Sequence, residues 1–276
     1  MGMFSKKLLT LYIFLLSLTI IIMGALIFIL PPKPPIRDYQ QIKEEGVLHI
    51  VTEYNQSGYY LTNETIEGFQ YELSKAIAAL SGLEVFIYLD MSLEKSFDGL
   101  YTNQYDIVAQ NIPTTSDLKQ NYLFIDPIVL SKQVLVQRTA EENHTIPPIR
   151  NHLDLAKKTL YIPKNSPARL RLQHLQSEIG DSIFIIEDPL YSSEQLMIMV
   201  AKGDIDYAVC DQHIAQLSQK QLPEIDIKTD ISFTQLQSWA VRRNAPVLLD
   251  SLNHWFRTMR ENGTFDMIYQ EYYQLK

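Results

Sequence analysis

The chain has 276 residues, enough for two domains of ordinary size, and its 46% hydrophobic and 20% charged content excludes a disordered polymer. A net charge of −8 with no long basic run argues against binding nucleic acid or an anionic membrane through bulk electrostatics. The single cysteine, Cys210, excludes an internal disulfide and gives no reading of redox compartment.

The first segment, Leu8–Leu30, carries no charge over roughly 23 residues, on the order of 35 Å of helix and enough to cross a bilayer. A cleaved export signal has a shorter apolar core, about 7–15 residues, and small residues at its end. Here Ile22 stands three before Ala25, so an uncleaved transmembrane anchor over residues 8–30 is expected. Lys6 and Lys7 on one side are balanced by Lys33 and Arg37 on the other, so the positive-inside count is close to a tie. Pro31-Pro32-Lys33-Pro34-Pro35 then predicts a short, stiff, extended spacer.

Beyond the spacer the pattern alternates. Val47–Thr52 reads as a strand. Gly68–Leu80 reads as a helix, with Phe69, Leu73, Ile77 and Leu80 at helical spacing. Leu83–Leu89 is a strand, Ser92–Tyr101 a helix and Tyr105–Ala109 a strand. The same grammar restarts with strand Thr159–Ile162, helix Ala168–Glu178, strand Ser182–Ile186, helix Glu194–Ala201 and strand Ile205–Val209. Such β-α-β-α-β order implies parallel strands with crossover helices, and two units imply two lobes. Gln133–Gln137 and Leu236–Val241 are extended segments flanking the second unit and read as hinge crossings. The tail, Pro246–Tyr273, is helical with a stripe of Leu248, Leu252, Trp255, Phe256 and Met259. It breaks at Asn262-Gly263, resumes with Phe265, Ile268 and Tyr272, and is expected to pack on the first lobe.

Five motifs stand in a telling order: "GFQYELSKAIA" (68–78), "YDIVAQN" (105–111), "FIDP" (124–127), "GDIDYAVCD" (203–211) and "RENGTFDMIYQEYY" (260–273). Together they resemble the bacterial extracellular solute-binding proteins of family 3 over nearly all of 47–273. Within that family, "VTEYNQSGYY" and "SKQVLVQR" look most like the binding module of the lytic transglycosylase F family, in which a receptor-like domain precedes a peptidoglycan-cleaving one. The resemblance implies an α/β, bilobal, periplasmic-binding-protein-like clamshell, here with an N-terminal transmembrane helix. Its parts would be an anchor over 1–30 and a Pro-rich spacer with a lead-in helix over 31–46. A first lobe would follow from 47–132 and 237–276, and a second from 133–236.

The same resemblance implies a binding protein, not an enzyme: two lobes close on an amino acid, peptide or muropeptide-like ligand for transport or sensing. The alternative it carries is a non-catalytic regulatory relative of lytic transglycosylase F acting in peptidoglycan turnover. Partners would be the small ligand, an ABC permease or a cell-wall protein, and the membrane through residues 8–30. The place would be the periplasmic side of the cytoplasmic membrane. Contacts fall in four loops: Glu53, Tyr54 and Asn55, with Tyr59 and Tyr60 near them; Asn111, Thr114 and Thr115; Asn165 and Ser166; and Asp211. Asp211 suits a ligand ammonium, tyrosines a ring or apolar group, and a helix start with Ser166 an anionic group. Asn165-Ser166 and Asp211 also read as ordinary helix caps, and Tyr59-Tyr60 as packing.

One departure matters. Amino-acid binders of this family carry T-x-x-R, whose arginine grips the ligand α-carboxylate in bidentate fashion. Here the arginine position holds Leu118 and the family's first threonine is Pro113, with Lys164 or Arg169 as substitutes for the charge. No cofactor is expected, and no metal. The six histidines, His49, His144, His152, His174, His213 and His254, show no i, i+4 pair, and Cys210 reads as a buried inert thiol. No G-x-S-x-G, P-loop or G-x-G-x-x-G occurs.

Overall fold

A computed structural model describes the backbone of residues 2–29, 37–55, 57–62, 65–144, 146–164 and 166–273, with side chains of the first segment described at 8 and 11–24. The chain divides into two units, Met1–Pro35 and Ile36–Lys276. The first unit is a single helix, α1 (Gly2–Ile29). The transmembrane anchor expected over 8–30 is corrected: among the described residues no helix is long and apolar enough to cross a membrane. Membrane partnership through 8–30 and single-pass placement fall with it. Leu30, the last residue of the expected segment, and the proline spacer, 31–35, lie outside the described residues.

The second unit opens with α2 (Tyr39–Glu45). Asp38 caps it in a capping box with Gln41. The same carboxylate accepts Val247 N at 3.1 Å and Leu248 N at 2.7 Å, so it also caps a later helix whose own N-cap, Ala245, offers no side chain. Next come β1 (Val47–Thr52) and a hairpin of β2 (Tyr60–Thr62) and β3 (Thr65–Glu67). Then follow α3 (Phe69–Ser81), β4 (Glu84–Leu89), α4 (Leu93–Tyr101), β5 (Ile107–Pro113), α5 (Ser116–Asn121), β6 (Tyr122–Phe124) and β7 (Val129–Ser131). After one residue, Lys132, come β8 (Gln133–Arg138), β9 (Thr159–Pro163), α6 (Ala168–Ile179), β10 (Phe184–Asp188) and α7 (Ser193–Lys202). They continue into β11 (Ala208–Asp211), α8 (Gln212–Gln219) and β12 (Ile225–Asp230). The chain ends in β13 (Gln235–Arg242), α9 (Pro246–Glu261) and α10 (Thr264–Tyr273).

The strands form two main sheets. In the first the order is β4-β1-β5-β13-β6, with β7 also on β13; in the second it is β10-β9-β11-β8-β12. β1 runs parallel to β4 and β5, and β9 parallel to β10 and β11, as the alternating pattern requires. β13 and β8 run antiparallel within their sheets. The extended segments read as hinge crossings are thus interior strands, and the chain passes between sheets just before each, at Lys132 and at 231–234. Those crossings are tied together: Gln133 N donates to Ser232 Oγ at 2.9 Å, and Ile231 N to Gln133 O at 2.8 Å.

Each sheet has its own core. The first packs Ile50, Ile107 and Trp239 against Phe69, Leu73 and Ile77 of α3 and the stripe Leu248, Leu252, Trp255, Phe256 and Met259 of α9. At about 1.5–3 kcal/mol for each large apolar side chain fully buried, that stripe alone anchors the tail to the first sheet. The second packs Val134, Val136, Met197, Val200 and Cys210 on one face, and Leu160, Ile162, Leu172 and Leu175 on the other. Asp106, fully buried, accepts Arg37 Nε at 2.8 Å, Arg242 Nη2 at 2.9 Å and His49 N at 3.0 Å. One carboxylate therefore clamps the lead-in segment, β1 and β13.

Candidate functional site

A cavity of about 140 Å³ lies where the carboxyl ends of the parallel strands of both sheets converge, the place where open α/β sheets bind ligands. From the first sheet's side come Thr52, Glu53, Asn55, Gln70, Met91 and Asn111. From the second come Lys164, Ser166, Ser192, Glu194 and Asp211.

The sequence-predicted residues divide. Glu53, Asn55, Asn111, Ser166 and Asp211 line the cavity. Asn55 folds its own loop: its Nδ2 donates to Glu53 Oε2 at 2.8 Å, and its Oδ1 accepts Ser57 N at 3.0 Å. Asn111 Nδ2 donates to Tyr273 Oη at 2.6 Å, and its Oδ1 accepts Gln70 Nε2 at 2.8 Å. Ser166 Oγ accepts Ala168 N at 3.2 Å, a local cap at the start of α6. Asp211 caps α8, with Oδ1 accepting His213 N at 2.9 Å and Oδ2 accepting Gln237 Nε2 at 3.0 Å.

The other six are placed differently or not described. Tyr54 is half exposed and pairs with Tyr59, whose ring meets Tyr71 edge-on at 5.4 Å. The Tyr60 hydroxyl donates to Glu67 Oε2 at 2.9 Å across the β2–β3 hairpin, and burial holds that phenol above its ordinary range. Thr114 Oγ1 reaches Leu236 O at 3.4 Å, and Thr115 caps α5 by accepting Leu118 N at 3.4 Å. None of these lines the cavity. Asn165 lies outside the described residues.

The electrostatics are acidic. Three carboxylates, Glu53, Glu194 and Asp211, line the cavity with one lysine, Lys164. Burial pushes the Glu53 carboxyl up to about 7, and the charges of Asp211 and Glu194 push the same way. Burial also raises Asp211, against its hydrogen bonds from Gln237 and the His213 backbone. Such a site favours a cationic group, which would relieve the repulsion between carboxylates. Burial likewise raises the Cys210 thiol, which points its proton at Met197 Sδ 3.7 Å away. Among the described residues no group of three or more His, Cys, Asp or Glu could hold a metal.

Sequence reasoning missed Gln70, Met91 and the loop Ser192–Glu194. The signal for the loop is present: Ser192 begins a capping box with Gln195, so the end of β10 and the start of α7 are as readable as the loops after β1, β5, β9 and β11.

Two α/β halves, each offering its strand ends to one cleft and joined by two short crossings, define a periplasmic-binding-protein-like clamshell. Residues 48–275 match the bacterial extracellular solute-binding proteins, family 3, and the chain belongs to that family. It is related to the N-terminal domain of membrane-bound lytic murein transglycosylase F homologues. The homologue from Desulfosudis oleivorans is 30% identical over 233 residues, covering 84% of this chain and 50% of that protein. The chain thus spans about half the length of that curated relative. Among solved structures, Tv2483 bound to L-arginine has a TM-score of 0.76 at 16% identity, covering 86% of this chain and 94% of the other. The substrate-binding protein of an amino acid ABC transporter has a TM-score of 0.72 at 19% identity, covering 83% and 100%. The matched part corresponds to non-catalytic binding proteins, not to a peptidoglycan-cleaving domain.

Proposed function

We propose that this chain is a non-catalytic ligand-binding module of peptidoglycan turnover, related to the regulatory half of lytic transglycosylase F, which closes two lobes on a small ligand bearing a cationic group. The lobes are taken as 47–132 with 237–276, and 133–236, and the place of action as the extracytoplasmic side that the family description names. One observation carries the ligand class: Glu53 from one lobe and Glu194 and Asp211 from the other converge on one cavity with a single lysine. Leu118 at the carboxylate-gripping position supports a ligand held by its ammonium or guanidinium rather than as a free α-amino acid. An amine-bearing wall peptide meets both conditions. Of the predicted contacts, the reading retains Glu53, Asn55, Asn111, Ser166 and Asp211.

The test is a thermal-shift and calorimetric screen with L-arginine, a diamine, L-glutamate and peptidoglycan-derived peptides with and without a free amine. Binding of amine-bearing wall peptides, lost on Asp211→Asn, is the expected result. Tight binding of L-glutamate, or amine ligands unaffected by Asp211→Asn, overturns it. Binding confined to L-arginine would instead favour delivery of a free solute to a permease.

A further inference from the structure

Tyr273 ends α10 on the first lobe, and His213 sits in the first turn of α8 on the second. Their rings lie parallel, with centroids 3.8 Å apart and planes 12° apart. Tyr273 is itself fixed to the first lobe. Its ring meets Phe69 edge-on at 4.8 Å and stacks on Tyr269 at 5.0 Å. Its hydroxyl accepts Asn111 Nδ2 at 2.6 Å. Asn111 is held in turn by Gln70, whose Oε1 accepts the buried Trp239 Nε1 at 2.6 Å. A chain of contacts thus runs from the first lobe's core, through Tyr273, to a ring of the second lobe.

What Tyr273 touches on each side belongs to the cleft. Asn111 lines the cavity directly. His213 follows Asp211 by two residues, and its backbone N–H is bonded to the Asp211 carboxylate. The position of the His213 ring therefore fixes the start of α8 and the carboxylate it presents. Two chain crossings near Lys132 and 231–234 leave rotation about the line joining them open. Gln237 bonds Asp211 close to that line. A ring stack made by the last turn of α10 adds a further point of contact, and such contacts determine which lobe angle is populated.

We infer that Tyr273 is a positioning residue for the cleft: its hydroxyl sets the Asn111 amide on one lobe, and its ring, stacked on His213, holds the Asp211 end of α8 on the other. Only the claim that these groups serve a ligand rests on the proposed function; the setting of the lobe angle does not.

The experiment measures the distance between labels at Tyr101→Cys and Leu190→Cys, exposed positions on opposite lobes, in the full chain, with Cys210 buried and unlabelled. Tyr273→Ala and His213→Ala are each expected to lower the ratio of close to distant label pairs by about threefold to tenfold, the range of an aromatic pair. The double variant should go no further than either single one, because both remove the same contact. Tyr273→Phe should keep the distance and weaken only ligands that touch Asn111, with L-arginine and an amine-bearing wall peptide as probes. Unchanged label distance in both alanine variants overturns the inference, as does an additive double variant. Thermal unfolding of each variant separates loss of fold from loss of the contact, and His213→Ala tests the stack without touching α10. Failure of every probe to bind the parent chain would sink the ligand reading and leave the distance result to decide the positioning role.

Discussion

Glu53 leaves the end of β1 and Asp211 ends β11, and the two carboxylates face one cavity from opposite lobes. Burial and the charge of Asp211 together bring the Glu53 carboxyl to about 7. Closing the lobes therefore concentrates like charge unless a proton or a cation enters with it.

A raised carboxyl pKa means that the folded state holds a proton the unfolded chain has already released. The resulting stability is fully present below the unfolded value near 4.5 and is lost as pH rises through about 7. Glu53→Gln should remove that loss. At pH 8 the variant is expected to be more stable than the parent by roughly 2–3 kcal/mol, with little difference at pH 4.5. Urea unfolding of both proteins across pH 4.5–8 checks the sign. Greater stability of the parent at pH 8 would contradict it.

His213 contributes with the opposite slope. Burial, with the nearby charge of Lys220, lowers its imidazole to about 4, so the unfolded chain binds a proton that the fold does not between about 4 and 6.5. Stability from this residue is present above 6.5 and falls as pH drops toward 4, by about 3 kcal/mol in full at about 1.4 kcal/mol per pH unit. In the parent the Glu53 and His213 slopes offset each other from about 4.5 to 6.5. The Glu53→Gln background should expose the His213 slope, and His213→Phe should abolish it. Chemical denaturation of the single and double variants from pH 4 to 7 is the measurement.

The sequence revealed the strands that are apolar along their length and concealed those that are not. Val47–Thr52 reads to the residue because Val47, Leu48, Ile50 and Val51 are interrupted only by His49. The strand expected at Tyr105–Ala109 begins and ends later, at Ile107–Pro113. Asn103, at φ 61, turns the chain just before it, and the Asp106 side chain is committed to two arginines. Its polar end continues because Ile112 and Pro113 pair with Ser238 and Gln237, more than a hundred residues away. α8, "QHIAQLSQ", has too few apolar residues to announce itself. The cavity was half legible for a related reason. The family resemblance points to the loops after β1, β5, β9 and β11, but those after β4 and β10 bring Met91 and Glu194 to the same space. No spacing rule links Trp239, Gln70, Asn111 and Tyr273; only the fold places them in line.

Asp106 should be among the costliest polar residues to remove. It is fully buried between Arg37 and Arg242, and Arg242 is itself nearly inaccessible. Breaking a buried pair leaves the partner charge uncompensated, which costs about 3–5 kcal/mol. Asp106→Ala is expected to lose stability in that range, and Arg37→Ala less, because Asp106 keeps Arg242. Equal losses for Arg37→Ala and Asp106→Ala in urea unfolding would show that the two arginines do not share the carboxylate as described.

Gly68 opens the family's first helix motif, and the structure gives the reason. Its φ is 138°, and a Cβ there would lie 2.2 Å from Gly58 O and 2.6 Å from Gly58 C. Its N–H donates to Tyr272 Oη at 2.9 Å, and the neighbouring Ser57 and Gly58 line the cavity. Strain in φ and collision with a backbone add, so Gly68→Ala should cost at least about 2 kcal/mol. It should also weaken ligand binding by displacing the 57–58 wall. Gly46 is the control: its φ is 75°, and a Cβ would meet nothing within 4 Å. Gly46→Ala should therefore cost only the left-handed penalty, about 1 kcal/mol, and leave binding intact. The two variants compared by urea unfolding and by calorimetry with the same amine ligand separate conformational strain from collision. Equal costs at both positions would mean that the 58–68 contact is looser than described.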